Sequence, residues 1–322
     1  MTQYPSDEEL AIHKASEDSV SSIVHPPPPP ERHWLTDFIP AHPVPAFIVM
    51  AAVVFGVIFA SIQATNIPST AVVTCTGDQA HDTKALQTAI TNARNAGTVE
   101  VSAGTCNLNA HLAIKQPVTI NGAGATATFL VQWARENIAQ ITSPGVTIES
   151  MSLDVGTHNP GVPPVKKNPV PSALFSAQSN TTLRDLNIIA GTGFGFRLTG
   201  PSPCDSYKTH GDVVSNVAVV NHGAGGFTSF DGDCLNGATF TSITIHGQYL
   251  ALFLDQNVTL DGLNYTPDLT FSGGACHEPV FVTTKSTTTG IVLRNITGGG
   301  KIIVKPASSG VTISNQTKAP GC

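Results

Sequence analysis

At 322 residues, with 16 basic against 22 acidic side chains and a formal net charge of −6, the chain could hold one large domain or two ordinary ones. It lacks the basic footprint by which nucleic-acid binders neutralise phosphates, which excludes nucleic acid as a partner. Only 12% of its residues are charged, and its wealth of Gly, Ser, Thr, Asn and Val points to β-structure with many turns.

Residues 1–43 carry two basic side chains, Lys14 and Arg32, against seven acidic ones, so most of the net charge lies there. This segment has few residues able to build a core, and Pro26–Pro30 favours an extended polyproline II rod. It reads as a disordered acidic tail, with the proline run either a spacer or a docking site for a proline-motif reader.

The run from Val44 to Ile62, VPAFIVMAAVVFGVIFASI, has no charged side chain and is close to the ~20 residues needed to cross the hydrocarbon core. It is apolar on every face, unlike a core helix of a soluble protein, and its preceding segment is too long and acidic for a cleaved signal peptide. A signal-anchor helix over 44–64 is expected, followed by a linker at 65–80 and an ectodomain over 81–322. Arg32 is the nearest cation on the N-terminal flank, and the other flank has none before Lys84, which places the N-terminus in the cytoplasm and the C-terminal domain outside it.

All six cysteines follow the apolar run, which suggests disulfides in an oxidising space. Cys75 with Cys106, Cys204 with Cys234 and Cys276 with Cys322 would each join neighbouring coils or ends, although spacing leaves the connectivity open. Five Asn-x-Thr sequons, at Asn180, Asn257, Asn264, Asn295 and Asn315, are glycosylation acceptors in a host that performs that chemistry.

Beyond the linker, Asp82 is an N-cap candidate for a helix over Thr83–Ala96, with Ala85, Leu86, Ala89, Ile90 and Ala93 on one face and Gly97 as the stop. After it come short β-branched runs broken by Gly, Asn or Pro, recurring at about 20 to 35 residues as in a solenoid. Within a repeat, one run leads through a glycine corner to a second. Leu186–Ile189 leads to Phe194–Leu198, Val217–Asn221 to Phe227–Phe230, and Ile243–His246 to Ala251–Leu254. Stacked coils need such corners, and the helix is placed to cover the open end of the first coil.

The phrase DTKALQTAI at 82–90, then GTVEVSAGT at 97–105, then VTINGAG at 118–124, resembles the opening of the pectin-lyase-like superfamily, which includes pectate lyases, polygalacturonases and phage tailspike depolymerases. The resemblance covers about forty residues closely and the rest by repeat rhythm. It implies an all-β fold, a right-handed single-stranded parallel β-helix with an N-terminal capping α-helix, and a sugar polymer as ligand. Cys106 stands where the family often has an aromatic residue, and a bond to Cys75 could take over its role of tying down the first coil.

Aligning coils by their glycine corners puts Thr199, Asp231 and Asp255 in one column, with Lys285 at the same height one coil later and Asp233 beside Asp231. Carboxylates on coils ~4.8 Å apart could share a proton, bind Ca²⁺, or divide acid and base roles across a glycosidic bond. The bland alternative is turn chemistry, in which an Asp at the end of a β-run accepts backbone amides. His222 and His246, each followed by Gly, form a second column, and Arg197 lies near the acids.

Polygalacturonases are similar in carrying Asp residues on successive coils, but their Arg-x-Lys is missing here. A pectate-lyase arginine would have to be Arg184, Arg197 or Arg294. Two readings follow. One is a glycan-binding or stalk module with no catalytic signature. The other is a polysaccharide hydrolase or lyase using Asp231, Asp233 and Asp255, with His222, His246, Arg197 and Lys285 as substrate contacts. The count of eight or nine coils is short for a deep cleft and favours the module.

Overall fold

A computed structural model describes residues 69–93, 96–156, 172–191, 194–200, 211–221, 230–267, 274–284 and 288–322. The expected tail at 1–43, with Pro26–Pro30, and the apolar run Val44–Ile62 lie outside these residues. Among the described residues, no helix is long and apolar enough to cross a membrane.

The compact unit runs from Pro68 to Cys322. Its long sheet follows the order β1 (Thr70–Val73), β2 (Thr98–Val101), β5 (Thr119–Gly122), β8 (Thr147–Asp154), β10 (Thr182–Gly191), β12 (Val213–Asn221), β14 (Thr239–Gly247), β16 (Thr259–Pro267), β18 (Ile291–Thr297) and β20 (Val311–Thr317). Two further strands, β3 (Gly104–Leu108) and β6 (Thr128–Gln132), attach beside β8. A shorter sheet of eight strands stacks β4 (Leu112–Ile114), β7 (Ala139–Ile141), β9 (Ser172–Ser176), β11 (Phe194–Thr199), β13 (Phe230–Asp233), β15 (Leu250–Phe253), β17 (Val280–Thr283) and β19 (Ile303–Lys305). From β8 onward the chain visits the two sheets alternately, and neighbouring strands pair in parallel. This is a parallel β-helix, with eight described strands in the shorter wall where eight or nine coils are expected.

The long strands bend once each, at a residue with positive φ. Ser150, Asp185, Asn216, Ser242, Gly262, Asn295 and Asn315 occupy this bend in successive coils. The bend lets residues three apart both face inward, which a straight strand of period two forbids. Thus Leu183 and Leu186, Val214 and Val217, Phe240 and Ile243, Leu260 and Leu263, and Leu293 and Ile296 are all buried. Each fully buried aliphatic side chain of this kind contributes about 1.5–3 kcal/mol. Small polar residues suit the bend because Asn, Asp and Gly tolerate the left-handed region.

The asparagines of the sequons acquire a structural role here. Asn180, Asn257, Asn295 and Asn315 all have positive φ. The side-chain amides of the last three are engaged between coils: Asn257 donates to Asn236 Oδ1 at 2.8 Å, Asn295 to Asp261 Oδ1 at 2.6 Å and Asn315 to Asn295 Oδ1 at 3.1 Å.

The capping helix α1 spans Gln79–Asn92, four residues earlier than the spacing suggests. Its N-cap is Asp78, whose side chain accepts the His81 N–H at 2.7 Å, and not Asp82. Asp82 is instead fully buried in the first turn and accepts the Thr76 N–H and Oγ1–H, the Gly77 N–H and the Asn107 N–H. Thr83 Oγ1 accepts the Asn109 N–H, while Gln87 exchanges hydrogen bonds with both backbone groups of Ala113. The helix therefore satisfies the edge amides of the first coil as well as covering its apolar end. The segment expected as a linker, 65–80, contains β1, which pairs with β2 and so belongs to the sheet.

Cys75 bonds Cys106, and Cys276 bonds Cys322, closing the first coil and the C-terminal end as expected. Cys234 is also disulfide-bonded, and its expected partner Cys204 lies outside the described residues.

Candidate functional site

The shorter sheet carries the acids. Its inward positions are filled by Leu174, Phe196, Leu198, Leu250, Leu252, Val280 and Val282, all buried. The alternate positions face outward and form rows across the coils. One row reads Gln140, Phe175, Arg197, Asp231, Ala251, Phe281, Ile303. The next reads Thr199, Asp233, Phe253, Thr283, Lys305.

The proposed column of Thr199, Asp231 and Asp255 is therefore not a row of the structure. Thr199 stands level with Asp233, and Asp231 stands level with Arg197. Alignment by glycine corners fails because the coils differ in length: Arg197 and Asp231 are 34 residues apart in sequence, whereas Leu235 and Asp255 are only 20.

Asp231 is 3% exposed and holds the Arg197 Nε–H through Oδ2 at 2.8 Å, the Arg197 side chain being 25% exposed. The Arg197 guanidinium carbon also sits 4.8 Å from the Phe194 ring centroid and 5.9 Å from that of Phe175, within cation–π range. The other oxygen, Asp231 Oδ1, is buried without a hydrogen-bond partner among the described residues. Asp233, two residues on, is half-buried on the same outer face.

Asp255 lies inside the coil. Its Oδ1 accepts the Leu235 N–H at 2.6 Å, and its Oδ2 has no partner among the described residues. A Cβ on Gly232 would meet this Oδ2 at 3.2 Å, together with Leu235 and Leu252 side chains, so the missing side chain at 232 makes room for the carboxyl. Burial holds the Asp255 carboxyl well above the usual carboxylate range, against the opposing effect of the Leu235 N–H, and Asp233 and Asp231 push it further up. Enclosed in this way, the carboxyl supports a backbone amide, as an Asp at the end of a β-run does in turn chemistry.

His246 is exposed on β14 of the long sheet, in register with Val220 and Thr266, and so belongs to a different wall from Asp231. His222 and Lys285 lie outside the described residues. No group of three or more His, Cys, Asp or Glu is placed to hold a metal ion among the described residues.

Aromatic residues, which the column of acids does not include, gather on and beside this wall. Phe253 and Phe281 lie with ring centroids 6.3 Å apart, Tyr249 and Phe281 at 6.0 Å, and Tyr249 stacks on His277 at 5.7 Å. His277 Nδ1 is 3.2 Å from the buried Tyr265 hydroxyl, which also lies 3.1 Å from the Gly247 carbonyl. The available signal was an aromatic residue at an outward position of β9, β15 and β17.

No family model and no curated protein matches the chain. Among solved structures it is similar to the A-module of Azotobacter vinelandii mannuronan C-5 epimerase AlgE4, at 16% identity over 75% of this chain and 73% of that one, with a TM-score of 0.47. It is also similar to Escherichia coli YbhC, at 11% identity over 89% and 90% of the two chains and a TM-score of 0.48. A third is the rice weevil pectin methyl esterase, at 12% identity over 74% and 85%, with a TM-score of 0.42. At such values the likeness is one of backbone winding and says nothing about the site.

Proposed function

We propose that this is a membrane-tethered, extracytoplasmic β-helix module that binds a polysaccharide along the outer face of its shorter sheet without cleaving it. The observation that carries the reading is the set of half-buried side chains on that face, Phe175, Arg197 and Phe281 in one row, with Asp231 and Ala251 buried between them, and Asp233 and Phe253 in the next. Half-buried aromatic rings offer stacking surfaces to the C–H faces of sugars. Guanidinium and carboxylate groups between them suit paired hydroxyls. A periodic wall fits a periodic ligand, since each coil advances ~4.8 Å, close to the length of one pyranose unit.

Absence of cleavage is supported by what the acids already do. Glycoside hydrolysis needs two carboxyls flanking the scissile bond. Asp255 is enclosed, its pKa raised by burial, and Asp231 is buried against Arg197, which leaves Asp233 as the half-buried member of the three. The enzyme reading is favoured by one observation, the unpartnered Asp231 Oδ1 close in sequence to Asp233. The disulfides are in keeping with an oxidising compartment. In this reading Val44–Ile62 is the anchor, and the cytoplasmic tail offers Pro26–Pro30 to a proline-motif reader.

The test uses the full chain in detergent micelles against a panel of neutral and acidic polysaccharides. Binding is followed by affinity electrophoresis, and products by reducing ends and by absorbance of unsaturated sugars. Retarded migration without products, weakened in Phe253→Ala and Phe281→Ala, is expected. Products that vanish in Asp233→Asn would establish the enzyme instead, and a chain that retains no polymer would remove both readings.

A further inference from the structure

The corner between β6 and β7, residues 133–138, is fastened from several sides. Gln132, fully buried, donates from Nε2 to the Asn137 carbonyl at 2.8 Å and accepts the Ala134 N–H on Oε1 at 3.1 Å. Asn137 Oδ1 accepts the Ser172 N–H at 2.7 Å, which ties the corner to β9 in the next coil. In the coil before, His111 presents its N–H and Nδ1 to Glu136 Oε2, each at 3.0 Å.

What this corner presents to solvent is Trp133, 42% exposed. Its Nε1–H is given to Asn107 Oδ1 at 3.0 Å, which fixes the indole. A rigid aromatic on a pre-ordered loop loses little freedom when a partner covers it, which is the economy of a binding platform. Trp133 also leads into β7, whose Gln140 is in register with Phe175. It occupies the turn from the long to the shorter sheet, the same turn in which Tyr249 and His277 sit further along.

We infer that Trp133, flanked by His111 and Glu136, is an end subsite of the glycan strip, a stacking platform for one pyranose ring of the bound polymer. This rests on the polysaccharide reading above and extends it to a minimum ligand length. From the coil of β7 to that of β17 is five steps of ~4.8 Å, or about 24 Å, so an oligosaccharide of about five units reaches both Trp133 and Phe281. A lipid surface is the poorer occupant, because the His111 and Glu136 side chains, 42% and 47% exposed, would have to be desolvated with the ring.

The chain has two tryptophans, Trp34 and Trp133, so Trp34→Phe makes Trp133 the only indole reporter. The full chain of this variant, in detergent micelles, is titrated with cello-oligosaccharides and oligogalacturonates from disaccharide to octasaccharide. Affinity should rise with length up to about five units, and Trp133 emission should change only with the longer oligomers. Trp133→Ala should weaken the longer oligomers about tenfold, the loss of roughly one stacking contact, and leave disaccharide binding unchanged, while Trp133→Phe retains part of the effect. Binding at full affinity in Trp133→Ala, with no emission change, overturns this inference and spares the wall. No binding by any oligomer overturns both. An emission change on phosphatidylcholine–phosphatidylglycerol vesicles in place of sugars assigns the ring to a membrane and also overturns it.

Discussion

Asp255→Asn separates the structural role of Asp255 from a catalytic one. The carboxyl is fully enclosed, accepts one backbone N–H and keeps its second oxygen unpartnered among the described residues. Burial raises its pKa well above the usual carboxylate range, so the folded chain keeps a proton that the unfolded chain releases. The contribution of this group to stability is therefore fully present below about pH 3.9 and is lost as pH rises towards the folded pKa, with a slope of about 1.4 kcal/mol per pH unit. Asparagine keeps the Oδ1 acceptor for Leu235 and does not titrate. The stability of Asp255→Asn relative to wild type should then grow by about 1.4 kcal/mol per unit across that window and level off above it. In a unit of this size the growth corresponds to roughly 3–5 °C in Tm per pH unit. Calorimetry of both full-length chains at about pH 4.5, 5.5 and 6.5, with disulfides intact, reads the difference directly. A difference that stays flat over this range, or that turns against the variant as pH rises, would refute the assignment of an enclosed carboxyl with a raised pKa.

Arg197→Met should cost about 3–5 kcal/mol because it leaves the Asp231 carboxylate buried and unpaired, whereas Arg197→Met combined with Asp231→Leu should recover most of that loss in a urea-unfolding double-mutant cycle. Asp82→Ala should destabilise by roughly 3 kcal/mol or more, since several buried donors of the first coil lose their acceptor. Burial raises the Asp82 pKa, but the Thr76 hydroxyl and the backbone amides of Thr76, Asn107 and Gly77 together outweigh it, and the net value is lowered. The stabilisation by Asp82 is thus present above about pH 3.9 and disappears as pH falls through the lowered folded value, so the wild-type advantage over Asp82→Asn should shrink on acidification. Asn295→Ala should cost about 1–2 kcal/mol through the left-handed bend and the lost Asp261 bond, with Asn295→Gly milder, and mass spectrometry should find Asn295 and Asn315 unmodified because their amides are engaged between coils.

The winding was legible because its cause is local. Apolar residues of the coils must repeat to stack, and the corners need small residues, so the rhythm survives in the sequence even where coil lengths vary. The capping helix was legible for the same reason, though Asp78 rather than Asp82 opens it, both having capping chemistry and only burial telling them apart. A further signal went unread: pairs of apolar residues three apart around a small polar one, as in Leu183-Arg-Asp-Leu186 and Leu260-Asp-Gly-Leu263, which mark the bend of each long strand. The register between coils was not legible. It depends on how many residues each corner holds, and a change of two residues turns Thr199 from a partner of Asp231 into a partner of Asp233.

Register also decides which charges matter. Three arginines of the described coils each pair with an acid directly level on an adjacent strand: Arg184 with Glu149, Arg294 with Asp261, and Arg197 with Asp231. Opposite charges side by side are what a parallel stack selects, because like charges there would repel at every coil. Two of these arginines stand 53% and 49% exposed, where such pairs contribute ~0–1 kcal/mol and serve mainly to set spacing. The third pair is set apart by a nearly enclosed carboxylate, two aromatic rings near the guanidinium, and a carboxylate oxygen with no described partner. Burying that oxygen unpaired carries a desolvation cost which stability alone does not reward. Asp231→Asn, which removes the buried charge and keeps the shape of the side chain, should therefore change Tm little in calorimetry, and a loss as large as that of Arg197→Met would refute the claim that the enclosed charge is costly.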